Sequence, residues 1–272
     1  MNIASTLSVS ESQLSGLLVF SANSNVWVYG YATTGSRPIL IALDTSFTVL
    51  VNYRYTAGTG RYRAATTDGA GHAYFAGTEG TNSQASRLVK YSESTLDIVW
   101  QKTYSHTSST DFAAHNMDFH ATSTDVSFVI KHAISEWTSG GIDFLFLRVD
   151  ADTGSSVHNA FGFGSNTGDT EENHNVHYSI TDGTAFVSYF ASPQLYIAKI
   201  SLISSTTAWA QRTDIGVDNS VYFGTRYFFI DSSTSTIYVA SNYQTLYLFV
   251  CLFGETGIKV TLMNVRLLST LL

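Results

Sequence analysis

Short β-branched and aromatic runs, each following a tight turn, recur along the chain with a period of about fifty residues. That pattern predicts an all-β fold, a β-propeller of about five four-stranded blades. Three observations carry the expectation. The first is a landmark run, Val26-Trp27-Val28-Tyr29-Gly30, whose counterparts begin at Ala73, Ser127, Ala185 and Ile237 after turns such as Gly69-Ala70-Gly71 and Asp182-Gly183. The second is a hairpin unit, clearest from Leu145 to His158. There an apolar run ends in Arg148, turns through Asp150-Ala151-Asp152-Thr153-Gly154 and resumes. The third is composition: 20 Gly and only 13% charged residues suit strands and turns better than helices.

The hairpin unit repeats with one fixed separation. Lys90 precedes Trp100 as Lys199 precedes Trp209, and Ala42 to Asn52 and Cys251 to Thr261 are weaker copies. On this ruler one propeller domain spans residues 1–272, with units at residues 17–56, 57–110, 111–168, 169–217 and 218–267. Within the fourth unit the strands fall near residues 176–181, 185–190, 195–202 and 208–213. Their alternation is imperfect, as expected of blade strands packed on both faces. A β-sandwich also gives short, evenly spaced strands but does not predict five superposable quartets, and β-solenoid repeats are shorter. Residues 1–16 and 265–272 either pair as a closing strand or form the edges of a larger propeller.

Composition then bounds function. A net charge of -7 opposes the counterion-release attraction on which nucleic-acid binding rests, so no nucleic-acid partner is expected. Residues 246–253 are continuously apolar but far too short to span a bilayer, so they read as a buried strand, and no membrane insertion is expected. Residues 1–16 lack the basic start and the apolar stretch of a secretory signal. The expectation is that the protein is not exported, or that Met1 is an internal position of a longer product. The single cysteine, Cys251, excludes an internal disulfide and reads as a buried, inert thiol.

An apolar strand ending in Lys or Arg, then Asp-x-Asp-Thr-Gly, then Trp, resembles the repeats of quinoprotein-type propellers and of the bacterial seven-bladed β-propeller repeat family. The resemblance implies the propeller fold across most of the chain. For quinoprotein dehydrogenases it would also imply a quinone held over a metal ion beside a vicinal cysteine pair. With one cysteine and only Trp100 and Trp209 in the Trp position, the fold alone is carried over and no cofactor is expected.

The chief chemical signal is a pair of matching segments expected to be loops: Asp111-Phe112-Ala113-Ala114-His115-Asn116 and Glu171-Glu172-Asn173-His174-Asn175. Each puts an acid ahead of His-Asn where the first strand of a blade begins, near the central channel of a propeller. Arg61 and Arg63, and Asp218, Tyr222 and Arg226, occupy comparable places in neighbouring units. His115, Asn116, His174, Asn175, Arg61 and Arg226 are therefore the candidate ligand-binding residues, for a polar ligand such as a glycan or a protein surface. His115 and His174 are alternative ligands for a divalent metal, since imidazole and carboxylate suit zinc-like ions. The competing reading is that these residues cap turns.

Two further patterns are weaker. Asp150, Asp152 and Gly154 fit a minimal calcium loop, but a hairpin turn accounts for the same residues. Tyr53, Tyr55 and Tyr104 fall on outer strands, where exposure is expected. No phosphate cradle, nucleophile elbow or His-Glu-x-x-His motif is present. The expected function is a non-catalytic binding module contacting a protein or glycan. The alternative is a carbohydrate hydrolase or lyase using Asp111, Glu172 and Asp218, since paired carboxylates serve glycoside cleavage.

Overall fold

The computed structural model describes residues 12–19, 24–32, 37–54, 59–80, 85–105, 112–120, 125–133, 142–156, 161–163, 172–179, 184–191, 194–201, 206–213, 224–231, 236–243, 247–254 and 263–266. These residues form strands and turns, with no helix among them. The first sheet holds β1 (Ser12–Val19), β2 (Val26–Ala32), β3 (Arg37–Leu43) and β4 (Val49–Arg54). The second holds β5 (Gly60–Thr67), β6 (His72–Glu79), β7 (Ala85–Ser92) and β8 (Ile98–Ser105). The third holds β9 (Phe112–His120), β10 (Asp125–Ala133), β11 (Ile142–Asp150) and β12 (Phe161–Phe163). The fourth holds β13 (Glu172–Ser179), β14 (Thr184–Ala191), β15 (Gln194–Ser201) and β16 (Thr206–Thr213). The fifth holds β17 (Gly224–Asp231), β18 (Thr236–Tyr243), β19 (Tyr247–Gly254) and β20 (Met263–Arg266).

In every sheet the four strands are neighbours in chain order. Such repeated up-and-down quartets are the blades of a β-propeller. By contact the chain divides into two compact units, Met1–Trp137 with Phe144–Gly162, and Thr138–Asp143 with Phe163–Leu272. The first three sheets lie essentially in the first unit and the last two in the second.

The first sheet opens at Ser12, earlier than residue 17, because β1 pairs with β2 from Ser12↔Ala32 to Val19↔Val26. Ser12, Gln13 and Ser15 carry no apolar pattern to mark this strand; backbone pairing includes it. At Gly16 the Tyr29 hydroxyl oxygen takes the space a side chain would use, since a Cβ would sit 2.3 Å from it.

Two apolar layers explain why the second sheet reads as continuous apolar runs. Ala73, Phe75, Val89 and Tyr91 face the first sheet and bury Trp27, Tyr29, Leu40 and Ala42 with them. Tyr74, Ala76 and Leu88 face the third sheet and join Met117, Val126, Leu147 and Val149. Alternate residues of β6 and β7 thus enter different cores, and neither face is left to water. Trp27 is fully buried, with Phe75 and Tyr91 ring centroids 5.6 and 5.5 Å from its own. The fourth strand β8, at the sheet edge, is mostly exposed.

The Lys-Trp pattern of the sequence is a clasp between sheets. Lys90 on β7 and Trp100 on β8 are cross-strand partners. Lys90 is buried, and its Nζ donates to the Ala151 carbonyl at 3.0 Å and lies 3.4 Å from Asp152 Oδ1. The same ammonium stands 5.5 Å from the Tyr74 ring centroid, within cation–π range. Trp100 Nε1 donates to the same carbonyl at 3.1 Å, and Tyr104 OH donates to the Gly154 carbonyl at 2.7 Å. Gly154 has φ 66°, and a Cβ on it would lie 3.0 Å from the Trp100 ring, so glycine meets both constraints. Tyr53 acts likewise one sheet earlier, its OH donating to the Leu96 carbonyl at 2.6 Å. Tyr53 and Tyr104 are therefore half-buried rather than exposed, because the turn of the next sheet docks on them; Tyr55 lies outside the described residues.

The third unit uses its motif base differently. Arg148 pairs with Asp125 at the start of β10, and both side chains are buried. Removing one partner of a buried pair strands a charge, at a cost of about 3–5 kcal/mol, whereas apolar replacement of both is close to neutral. We therefore expect Asp125→Ala to lower the urea midpoint sharply and Asp125→Leu with Arg148→Met to recover most of it. Trp27→Ala should cost about 3–5 kcal/mol in the same assay, as loss of a large buried ring does.

Candidate functional site

All the described candidate residues fall on first strands. His115 and Asn116 lie within β9, and Glu172, His174 and Asn175 within β13. Arg61 and Arg63 lie in β5, and Arg226 in β17. The segments expected to be loops are strands because the second strand of each sheet pairs with them: Asn116 opposes Val129, and Asn175 opposes Ser188. Asp111, Asp169, Glu171, Asp218 and Tyr222 lie outside the described residues.

The expected loop signal survives in another form, as a β-bulge. In β9 the register passes from Ala114↔Ile130 to Asn116↔Val129, leaving His115 as the extra residue. In β5 it passes from Tyr62↔Gly77 to Ala64↔Ala76, leaving Arg63. In β17 it passes from Thr225↔Ser241 to Tyr227↔Ala240, leaving Arg226. In β1 it passes from Leu14↔Gly30 to Gly16↔Tyr29, leaving Ser15. In β13, Asn173 and His174 together span the step from Glu172↔Phe190 to Asn175↔Ser188. Every first strand therefore carries one bulge, and the bulged residue is polar or basic in all five. Bulges bend the strand, release it locally from the ladder and re-aim a side chain.

Local packing in β5 shows how the bulge region is held. A Cβ on Gly77 would fall 1.9 Å from the Arg61 carbonyl oxygen, so the β6 backbone approaches β5 more closely there than any side chain allows. The Arg61 amide donates to Thr78 Oγ1 at 3.2 Å, and its guanidinium stands 4.6 Å above the Tyr31 ring of the first sheet. At the end of β6 Glu79 pairs with Arg87 of β7 and accepts from Thr103 Oγ1 of β8 at 2.6 Å. First strands also meet across sheets: β5 lies against β1, and β9 against β5.

Arg63 and Ser15 were not among the residues singled out as ligand-binding. A signal in the sequence marks Arg63, and none marks Ser15. In Tyr62-Arg63-Ala64 and Thr225-Arg226-Tyr227 a basic residue stands four and five residues before the end of the first strand.

The Asp150 turn has a structural occupation. Asp150 Oδ1 accepts from the amides of Asp152 and Thr153 at 3.1 and 2.7 Å and from Thr153 Oγ1 at 2.7 Å. Gly154 N returns to the Asp150 carbonyl at 2.8 Å. The hairpin turn thus uses the carboxylate that a calcium loop would need. A histidine not singled out by sequence, His72, closes an analogous turn through Nδ1 to Asp68 Oδ2 at 2.7 Å, while Asp68 Oδ1 accepts from the Ala70 and His72 amides. Burial raises the pKa of the Tyr104 hydroxyl, and burial followed by the Asp68 carboxylate raises that of Tyr74.

No protein-family model matches the sequence, and no curated protein matches it. Solved structures do match. The chain superposes on Kuenenia stuttgartiensis hydrazine synthase with TM-score 0.61 at 11% identity, covering 94% of this chain and 68% of that one. A Lactobacillus plantarum protein gives 0.64 at 15% identity, covering 93% and 71%. The Dos1 propeller gives 0.60 at 13% identity, covering 95% of this chain and 60% of that one. At these identities the likeness shows the fold alone, and it places the chain in the β-propeller class.

The Asp150 carboxyl is held below its ordinary value, 3.8, first by the Thr153 hydroxyl, then by backbone amides and the Lys90 charge. A carboxylate depressed in the folded state stabilises above its unfolded value, and that contribution is lost as pH falls through the folded value. Asp150→Ala should therefore cost about 1 kcal/mol at pH 7, and the gap to wild type should narrow as pH falls below 3.8. Urea midpoints at pH 7, 4 and 2.5 read it; a gap of constant size would contradict this role.

Proposed function

We propose that this protein is a non-catalytic β-propeller binding module that contacts a protein or glycan ligand through the first strands of its blades. The residues assigned to contact are His115, Asn116, His174, Asn175, Arg61 and Arg226. The observation that carries the reading is the recurrence of a bulge at a polar or basic residue in every first strand. A repeated departure from the ladder costs backbone hydrogen bonds each time, and bulges concentrate where a fold re-aims side chains for use. The scaffold is densely packed around its second sheet: both faces of that sheet are buried, and the third sheet's turn is clasped by Lys90, Trp100 and Tyr104. A rigid frame presenting polar groups suits recognition, because little ordering entropy is spent on binding. The likeness to quinoprotein-type repeats enters as scaffold: it rests on Lys90-Trp100 and Lys199-Trp209, cross-strand partners in their sheets.

A panel of oligosaccharides and peptides immobilised on a surface tests the reading. Wild type should bind at least one member, with affinity falling tenfold or more in His115→Ala, His174→Ala or Arg226→Ala. Binding that none of these substitutions alters would count against it. So would release of reducing sugar from a polysaccharide, abolished by Glu172→Gln, which is the behaviour of the rival hydrolase.

A further inference from the structure

Where its third strand ends, each of the first three sheets makes the same closed turn. The first amide of the turn donates to its last carbonyl: Asp44 N to Thr48 O at 3.0 Å, Ser92 N to Asp97 O at 2.9 Å and Asp150 N to Ser155 O at 2.8 Å. The residue before the last is left-handed in all three, Phe47 and Leu96 at φ 60° and Gly154 at φ 66°. In the second and third sheets a tyrosine from the preceding sheet's outer strand grips that residue. Tyr53 OH donates to the Leu96 carbonyl at 2.6 Å and Tyr104 OH to the Gly154 carbonyl at 2.7 Å. The gripped turns are sunk into the structure: Glu93 and Ala151, second in their turns, are buried, and Leu96 packs against an apolar cluster.

The first sheet has the same turn without the grip. Thr45, Ser46, Phe47 and Thr48 are all exposed, Phe47 at 52%. Among the described residues none donates to the Phe47 carbonyl. A left-handed backbone is unfavourable for a bulky side chain. Gly154 avoids that cost, and Leu96 offsets it through burial and the Tyr53 hydrogen bond, whereas Phe47 bears it with its ring in water. Strain kept without local compensation marks positions held for use. The apolar face that ends at this turn is already buried through Val28, Ile39, Ile41 and Leu43, so a grip here calls for a strand and not for a further sheet.

We propose that the turn at residues 44–48 docks an extended segment of a partner protein, whose tyrosine hydroxyl donates to the Phe47 carbonyl while its ring packs on the Phe47 side chain. The two gripped turns define this chemistry, since both take a phenol hydroxyl from an outer strand. Tyrosine suits such a contact, joining a large apolar body to one polar tip. The tyrosines that grip turns in this chain, Tyr53 and Tyr104, are already engaged, which favours a different protein over a second copy. The turn lies at the edge of its sheet opposite the first strand and shares no residue with the contacts proposed above, so the two readings stand or fall separately.

Fluorescence anisotropy on the full chain tests the docking, with a labelled octapeptide of the sequence Ile98–Ser105, the strand that brings Tyr104 to the third sheet, as probe. Wild type should bind it, and the peptide with Tyr104→Phe should bind at least fivefold more weakly. Phe47→Asn, which tolerates the left-handed turn and removes the ring, should weaken binding at least tenfold and raise the urea midpoint. Val99→Ser, which removes another exposed apolar residue, should leave binding unchanged. If Phe47→Asn does not fold, Phe47→Gly decides. The site is overturned by absence of binding to wild type, by equal binding of the two peptides, by unchanged binding in Phe47→Asn, or by a lowered urea midpoint in that variant. Sedimentation at rising concentration supplies the last arm: self-association abolished by Phe47→Asn would make a second copy the occupant and overturn the partner.

Discussion

The core of the first compact unit depends on burying both faces of a single sheet at once. β6 and β7 send alternate residues into two different cores, Phe75 and Tyr91 to one side, Tyr74 and Leu88 to the other. A strand in that position has no solvent face, so its sequence loses the apolar-polar rhythm of an ordinary amphipathic strand. The same demand selects residue size. Gly77 sits where the backbone of β5 comes closest, and large rings fill the wider spaces on either side.

Polar groups inside such a stack must be matched, because a buried charge without partners costs several kcal/mol. Lys90 shows the solution. Its stem crosses the apolar layer and its ammonium reaches a carbonyl and a carboxylate of the next sheet's turn, over the Tyr74 ring. Trp100 and Tyr104 complete the grip with neutral donors. The turn itself is built to be gripped: Asp150 caps its amides and Gly154 takes the left-handed conformation against Trp100. What registers in the sequence as a repeated motif is thus a contact between successive units, one half of the motif on each.

At the opposite edge of each sheet the regular ladder is broken by a bulge in the first strand, and in three sheets the fourth strand is bulged as well. The bulged first strands are also those that meet the first strands of neighbouring sheets. The outer strand β8 is mostly exposed, and the residue at its own bulge is the apolar Val99.

The sequence by itself determined the β class, the fifty-residue repeat and the four strands per unit, because local periodicity and turn chemistry are properties of neighbouring residues. Strands such as Thr184–Ala191 and Gln194–Ser201 fall where their apolar runs predict. It also singled out His115, His174 and Arg226 by type and position. Only the tertiary structure decided that these residues sit in strands at bulges rather than in loops, since register depends on the partner strand, and pairing of β9 with β10 carries no signature in β9 alone. Likewise the first half of β1 was invisible until Ser12 to Val19 paired with β2, and Lys90 and Trp100 acquired their meaning only when the turn that holds Ala151 and Asp152 was brought against them. Contacts distant in the chain are fixed by packing, which no window of sequence contains.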